Sequence, residues 1–88
     1  MKAEIWTKPN CPYCDKAKNL FKIKGVEYEE KIIKLTESQG SDLKPNQELV
    51  SREALLERAP NAKTVPQIWL DNNYIGGYNE LIAFWGIN

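Results

Sequence analysis

The chain has 88 residues, enough for one small domain with a core of modest size. Twelve basic residues balance twelve acidic ones, so the charge gives no reason to expect binding to nucleic acid or to anionic lipid. No apolar run approaches the roughly 20 residues of a membrane-spanning helix, and the N-terminal residues do not resemble a signal peptide. We therefore expect a cytoplasmic protein with neither a nucleic-acid nor a membrane partner.

The first third of the chain predicts a strand, a helix and a second strand. Residues 2–7 alternate apolar and polar side chains, which is the period of a strand. From Pro12 the apolar residues follow helical spacing, and this helix is expected to end at Gly25. Over residues 26–33 apolar and polar side chains alternate again, which predicts the second strand.

The middle of the chain predicts a long loop and a second helix. Residues 34–48 are polar and contain glycine and proline, which favours a loop. Residues 49–59 have a helical pattern, with either Ser51 or Asn46 as the candidate N-cap.

The last third predicts a hairpin and a final short helix. Residues 67–70 form a strand, 71–73 a turn and 74–76 a fourth strand. The final helix carries Leu81, Phe84 and Trp85 at i, i+3 and i+4. The order β-α-β-α-β-β-α predicts an α/β fold: a four-stranded mixed sheet with helices on both faces, in a single domain spanning residues 1–88.

The chain's cysteines, Cys11 and Cys14, are separated by two residues and lie where the first strand gives way to the first helix. In a reducing compartment such a pair is either catalytic or metal-binding. A zinc site needs four ligands, and the chain has no histidine and no further cysteine, so we expect no metal. The helix N-terminus would stabilise a thiolate at Cys11, with Lys8 adding positive potential, and this makes Cys11 the predicted nucleophile. Cys14, one turn further into the helix, is predicted to resolve the mixed disulfide.

Three motifs together resemble the glutaredoxin family: CPYC at 11–14, TVP at 64–66 and GGYNE at 76–80. The short chain and the long 34–48 connection are similar to those of small phage or bacterial glutaredoxins. The resemblance covers essentially the whole chain and implies a thioredoxin-like fold. It also implies a monomeric thiol–disulfide oxidoreductase that uses glutathione to reduce protein disulfides and protein–glutathione mixed disulfides. Ribonucleotide reductase is a client that the family suggests.

The resemblance also implies a glutathione site. In the family the bond before the TVP proline is cis and faces the cysteines, and the residue before a proline is held extended, as a peptide-binding edge requires. The glycine pair lets the backbone approach the γ-glutamyl end of glutathione, whose carboxylate the start of the last helix would bind. The residues expected to bind glutathione are Lys8, Tyr13, Thr64, Val65, Pro66, Gly76, Gly77, Tyr78, Asn79 and Glu80.

One residue departs from the glutaredoxin pattern, and this departure leaves alternative functions open. The family usually has aspartate where this chain has Asn79, which can cap a helix but lacks the charge that pairs with the ammonium of glutathione. Glu80 is expected to compensate. The alternatives are a protein of the same fold that receives electrons from thioredoxin reductase, and a protein that binds an iron–sulfur cluster between two chains through Cys11 and two glutathiones.

Overall fold

The structure is a computed structural model that describes residues 1–35, 39 and 42–87. Its elements in chain order are β1 (Lys2–Thr7), α1 (Pro12–Lys24), β2 (Glu27–Ile33), β3 (Gln47–Val50), α2 (Arg52–Arg58), β4 (Gln67–Leu70), β5 (Asn73–Gly76) and α3 (Tyr78–Trp85). The sequence predicted β1, α1 and β4 with these bounds, and β2, β5 and α3 at these places.

The strands form one mixed sheet in the order β3-β2-β1-β4-β5. β1 is parallel to β2, with Ile5 opposite Glu30, and antiparallel to β4, with Ile5 opposite Ile68. β5 returns antiparallel beside β4 through a turn at Asp71 and Asn72, both of which have positive φ. The central position of β1 brings the loop that follows it to the middle of one end of the sheet.

Helices cover both faces of the sheet, as predicted. On one face, residues of α1 and α3 join the strands in a core of Ala3, Ile5, Ala17, Phe21, Ile68, Leu70 and Leu81. On the other face, residues of α2 and its C-cap pack in a cluster of Trp6, Ile33, Leu55, Ala59 and Trp69. The alternation of side chains along β1 explains the division, because Ile5 and Trp6 point to opposite faces. Along α3, Leu81 is buried, whereas Phe84 is 51% exposed.

The predicted count of four strands was wrong, because residues 47–50 form β3 rather than part of the loop and the second helix. Gln47–Val50 pairs in parallel with β2, placing Gln47 opposite Glu30 and Val50 opposite Ile33. The helix begins only after Ser51, whose Oγ accepts the Ala54 N–H at 3.0 Å. Asn46, the other candidate cap, instead donates to the Tyr28 carbonyl at 3.2 Å. The rest of the predicted 34–48 loop lies partly outside the described residues.

Candidate functional site

The cysteine pair lies at the junction between β1 and α1. Cys11 is the N-cap of α1, with extended backbone angles, and Pro12 is the first helical residue. Proline fits there because the first N–H groups of a helix have no intrahelical acceptor. Cys11 and Cys14 form a disulfide with their Cα atoms 5.3 Å apart, so the structure describes the oxidised form of the pair.

The two sulfur atoms have different surroundings. Cys11 is 7% exposed and Cys14 is 1% exposed. Sγ of Cys11 accepts the Cys14 N–H at 3.2 Å, at the positive end of the α1 dipole. In the reduced protein this N–H would stabilise a thiolate at Cys11. The more accessible cysteine therefore also has the local hydrogen bond that favours negative charge on its sulfur.

The Thr64–Pro66 segment lies beside Cys11. The Val65–Pro66 bond is cis, as the resemblance implied, and the Val65 carbonyl oxygen is 3.8 Å from Sγ of Cys11. Apart from that contact, neither the N–H nor the carbonyl of Val65 has a hydrogen-bond partner among the described residues. Val65 can therefore offer both groups to an extended peptide laid beside it.

Gln67 supports this segment and was missed by the sequence reasoning. Its side chain is buried; Nε2 donates to the Thr64 carbonyl at 2.8 Å, and Oε1 accepts the Tyr74 hydroxyl. A buried amide must find partners, and these two tie the backbone before Pro66 to β5. The available signal was a lone polar residue in the otherwise apolar strand QIWL, directly after a proline.

The turn at residues 76–80 lies against Pro66. Gly76 has φ +119°, and a Cβ there would come within 2.8 Å of Cγ of Glu80. A Cβ at Gly77 would lie 3.4 Å from the Pro66 carbonyl oxygen. Gly76 therefore requires glycine, because of its positive φ and its closeness to the Glu80 side chain, whereas the backbone at Gly77 passes within contact distance of Pro66.

Gly77, not Asn79, is the N-cap of α3. Asn79 is exposed in the first turn, so its expected capping role was wrong. Glu80 reaches back so that Oε1 accepts the Gly77 N–H at 2.7 Å. The first intrahelical bond runs from the Leu81 N–H to the Gly77 carbonyl, which leaves the N–H groups of the first turn available to an anion.

Tyr13 connects the cysteine loop to this turn. Its exposed ring contacts the ring of Tyr78, with centroids 5.8 Å apart, and Nζ of Lys16 lies 5.0 Å from its centroid. Lys8 lies on the other flank and lines a pocket together with Thr64 and Val65. The structure thus brings the predicted site residues to one surface around Cys11.

A buried polar cluster behind the cysteine loop was also missed. Glu30 is 4% exposed and accepts hydrogen bonds from Thr7 (2.7 Å), Lys18 (3.0 Å) and Gln47 (2.9 Å). Burial raises the pKa of Glu30, but the hydrogen bonds from Gln47, Thr7 and Lys18 outweigh it and bring the pKa below its ordinary value. Thr7 ends β1 and Lys18 lies one turn beyond Cys14, so the cluster connects the end of β1 to α1 behind the cysteine loop.

Nowhere in residues 1–35, 39 and 42–87 do three or more potential metal-binding side chains (His, Cys, Asp or Glu) come together as an ion site would require. Within the same ranges, none of the helices has the length and apolar character needed to cross a membrane.

Comparison with known proteins places these features in a family context. The family model described as glutaredoxin matches residues 3–75. Glutaredoxin 3 of Escherichia coli strain K12 is 40% identical over 80 residues, covering 91% of this chain and 81% of that protein. The NMR structure of reduced Escherichia coli glutaredoxin has a TM-score of 0.70 at 27% identity, covering 98% of this chain and 94% of that one. A crystal structure of a buckwheat glutaredoxin–glutathione complex has a TM-score of 0.66 at 25% identity, covering 96% and 67%.

Proposed function

Because this chain belongs to the glutaredoxin family and is a thiol–disulfide oxidoreductase, we propose that glutathione is its reductant and that its substrates are protein disulfides and protein–glutathione mixed disulfides. The observation that carries the proposal is the position of Val65. Its carbonyl oxygen is 3.8 Å from Sγ of Cys11, and its N–H has no partner among the described residues. A cysteine-containing tripeptide can pair with this backbone while its sulfur meets Cys11.

The redox step follows from the positions of the two cysteines, Cys11 at the N-cap of α1 and Cys14 inside the helix. In the reduced protein, the Cys11 thiolate attacks one sulfur of the substrate disulfide, and the other substrate sulfur leaves and takes a proton. Cys14 then loses its proton and attacks Sγ of Cys11, which releases the second substrate thiol. Two electrons pass from the protein to the substrate, and the protein disulfide described above is the product. Two glutathione molecules return the electrons and become glutathione disulfide.

The glutathione site uses the residues gathered around Cys11. The tripeptide lies along Val65, its glycyl carboxylate faces Lys8, and Tyr13 flanks its sulfur. Its γ-glutamyl carboxylate meets the N–H groups at the start of α3, reached through Gly76 and Gly77. Glu80 is already held at that helix start by the Gly77 N–H, so its carboxylate is placed to accept the ligand's ammonium. The buckwheat relative, whose structure is a glutathione complex, supports this assignment.

The activity belongs in the cytoplasm, where glutathione and related systems keep thiols reduced. Ribonucleotide reductase, the client suggested by the family resemblance, is the first client to test.

A comparison of reductants tests the proposal. The oxidised protein is given either glutathione with glutathione reductase and NADPH, or thioredoxin reductase with NADPH, and NADPH consumption is followed. We expect rapid turnover with the glutathione system and little with thioredoxin reductase. The opposite pattern would assign the protein to the thioredoxin-reductase alternative.

A further inference from the structure

The pocket that Lys8, Thr64 and Val65 line opens next to the redox pair, on the α2 side of the Thr64–Val65 segment. Its volume is about 180 Å³. A cavity of about 150 Å³ can hold a benzene molecule, so this pocket has room for one leucine- or phenylalanine-sized side chain. It begins at Val65, whose carbonyl lies beside Sγ of Cys11.

The lining of this pocket combines apolar and cationic side chains. The apolar residues come from β2 and the residues just after it, from α2 and from the segment before Pro66, and they are Ile33, Leu35, Leu55, Leu56, Ala62 and Val65. Lys8, Arg52 and Lys63 supply the positive charges. Within the described ranges none of these three forms a salt bridge. Their charge is therefore available to a ligand.

Glutathione does not account for the apolar part of this pocket. The residue of glutathione that would lie towards Lys8 is glycine, whose carboxylate can meet a cation of the lining but which has no side chain to fill an apolar cavity. A protein client differs, because its chain continues beyond the reactive cysteine. Residues of an extended segment advance about 3.3 Å each, so a side chain one or two positions from a cysteine at Cys11 reaches the pocket.

We propose that this pocket selects protein clients by binding an apolar side chain, with an acidic residue beside it, from the extended segment that flanks the client's reactive cysteine. The inference rests on the proposed function only in placing that segment along Val65. Burial of the apolar side chain provides the affinity, and the three cations favour acidic over basic neighbours. The client class is thus an acidic, apolar cysteine segment.

Peptide disulfides test the proposal directly. Four peptides are made, each with a central cysteine. The residues on either side of the cysteine are Leu or Ser, and the residues outside those are Glu or Lys. In each peptide the cysteine is linked to cysteamine by a disulfide. Pre-reduced protein reacts with each in a single turnover, and released thiols are counted after acid quench. Each rate is divided by the rate of the same peptide with dithiothreitol, which removes differences in intrinsic reactivity. We expect the Leu/Glu peptide to react at least about ten-fold faster than the Ser/Lys peptide.

Matched variants assign that preference to the pocket. Leu56→Gln should lose the preference for Leu, and Lys63→Gln should weaken the preference for Glu. Ile23→Gln, which changes an exposed apolar residue of α1 outside the pocket, should keep both. Leu56→Gln should still reduce the small glutathione–cysteamine disulfide at the wild-type rate, which shows that it is folded and active.

Three outcomes would overturn the proposal. The first is a wild-type protein that shows no preference among the peptides, and the second is a Leu56→Gln variant that retains the full preference. The third is a wild-type protein that sediments as a dimer which Leu56→Gln dissociates, since a second copy of the chain would then cover the pocket. The single-turnover assay contains no glutathione. A protein that glutathione cannot reduce but that still prefers the Leu/Glu peptide would refute the proposed function and leave this inference standing.

Discussion

Cys11 and Cys14 have different surroundings although only two residues separate them. Cys11 caps α1 and accepts the Cys14 N–H, while Cys14 is inside the helix and almost fully buried. We expect Cys11→Ser to abolish both the reduction of protein disulfides and that of glutathionylated proteins, because no other thiolate stands at the helix start. Cys14→Ser should retain the second activity, which needs only one attacking sulfur, and lose most of the first. Equal loss of both activities in Cys14→Ser would contradict the assigned roles.

Asn79 is the residue at which the site departs from its family. It is exposed in the first turn of α3, next to the γ-glutamyl end of the proposed ligand. Asn79→Asp should lower the Michaelis constant for glutathione a few-fold, because a partly exposed ion pair contributes on the order of 0.5–1 kcal/mol. The gain should shrink as salt is added. Asn19→Asp, which adds the same charge on the exposed side of α1, is the control and should change nothing.

Glu80 decides how a negative result is interpreted. If Asn79→Asp leaves glutathione kinetics unchanged at low salt, Glu80→Gln is made in the native background. A rise in the Michaelis constant would show that Glu80 already supplies the charge. No change in either variant would remove this turn from the glutathione site.

At the scale of elements, the sequence predicts whatever is stabilised locally. β1 and α1 follow from side-chain period, from Pro12 at the helix start and from Gly25 at its end. β3 cannot be predicted in this way, because its four residues show no clear alternation of apolar and polar side chains. They are held extended by pairing with β2 and by the hydrogen bond from Gln47 to Glu30. Leu49 and Val50 therefore looked like the start of a helix.

The same division applies to the candidate site. The three motifs at 11–14, 64–66 and 76–80 could be found in the sequence because each has its own short pattern. The roles of Gln67 and of the pocket beside Val65 depend on residues far apart in the chain. No local pattern places Tyr74 against Gln67, or Lys8 beside Lys63, so these features needed the tertiary structure.

The turn between β5 and α3 provides a prediction at this scale. Gly76→Ala adds a Cβ within 2.8 Å of Cγ of Glu80 at a backbone with φ +119°. We expect a loss of unfolding free energy of roughly 1–3 kcal/mol and a higher Michaelis constant for glutathione, because Glu80 must move away from the Gly77 N–H.

Gly25→Ala is the matched control for that variant. Gly25 also has a positive φ of +69°, but a Cβ there meets nothing within 4 Å. It should lower stability by about 1 kcal/mol without changing glutathione kinetics. Thermal unfolding and steady-state kinetics of the two variants separate backbone strain from displacement of Glu80. Unchanged glutathione kinetics in Gly76→Ala would contradict a role for this turn.

At the scale of the whole molecule, the cluster around Glu30 joins four elements that are distant in sequence. Thr7 belongs to β1, Lys18 to α1, Glu30 to β2 and Gln47 to β3. Beneath α1, where apolar side chains would usually pack, the cluster has the charged pair Lys18–Glu30 and its hydrogen bonds. Such a pair adds little net stability compared with apolar residues, but losing one partner is expensive because the other remains partly buried. The cluster thus couples the geometry of the cysteine loop to the protonation state of one carboxyl group.

Glu30→Gln should therefore destabilise the protein in a pH-dependent way. The folded-state pKa of Glu30 lies below the ordinary 4.5. The carboxylate consequently contributes stability that is fully present above that ordinary value and is lost as pH falls through the lower folded-state pKa. At neutral pH we expect the variant to lose roughly 1–3 kcal/mol of unfolding free energy, because Lys18 and Thr7 lose a charged acceptor. The difference between wild type and variant should close as the pH is lowered below about 4.5.

Glu27→Gln is the control, because Glu27 is on the same strand with its side chain exposed. It should stay within about 0.5 kcal/mol of wild type. Denaturant unfolding of the three proteins across this pH range, with the cysteine pair kept oxidised throughout, measures both differences. A Glu30→Gln deficit that stays constant down to acid pH would mean that the side chain acts through its shape and hydrogen bonds rather than through its charge. The inference that the protonation state of this carboxylate is coupled to the geometry of the cysteine loop would then be wrong.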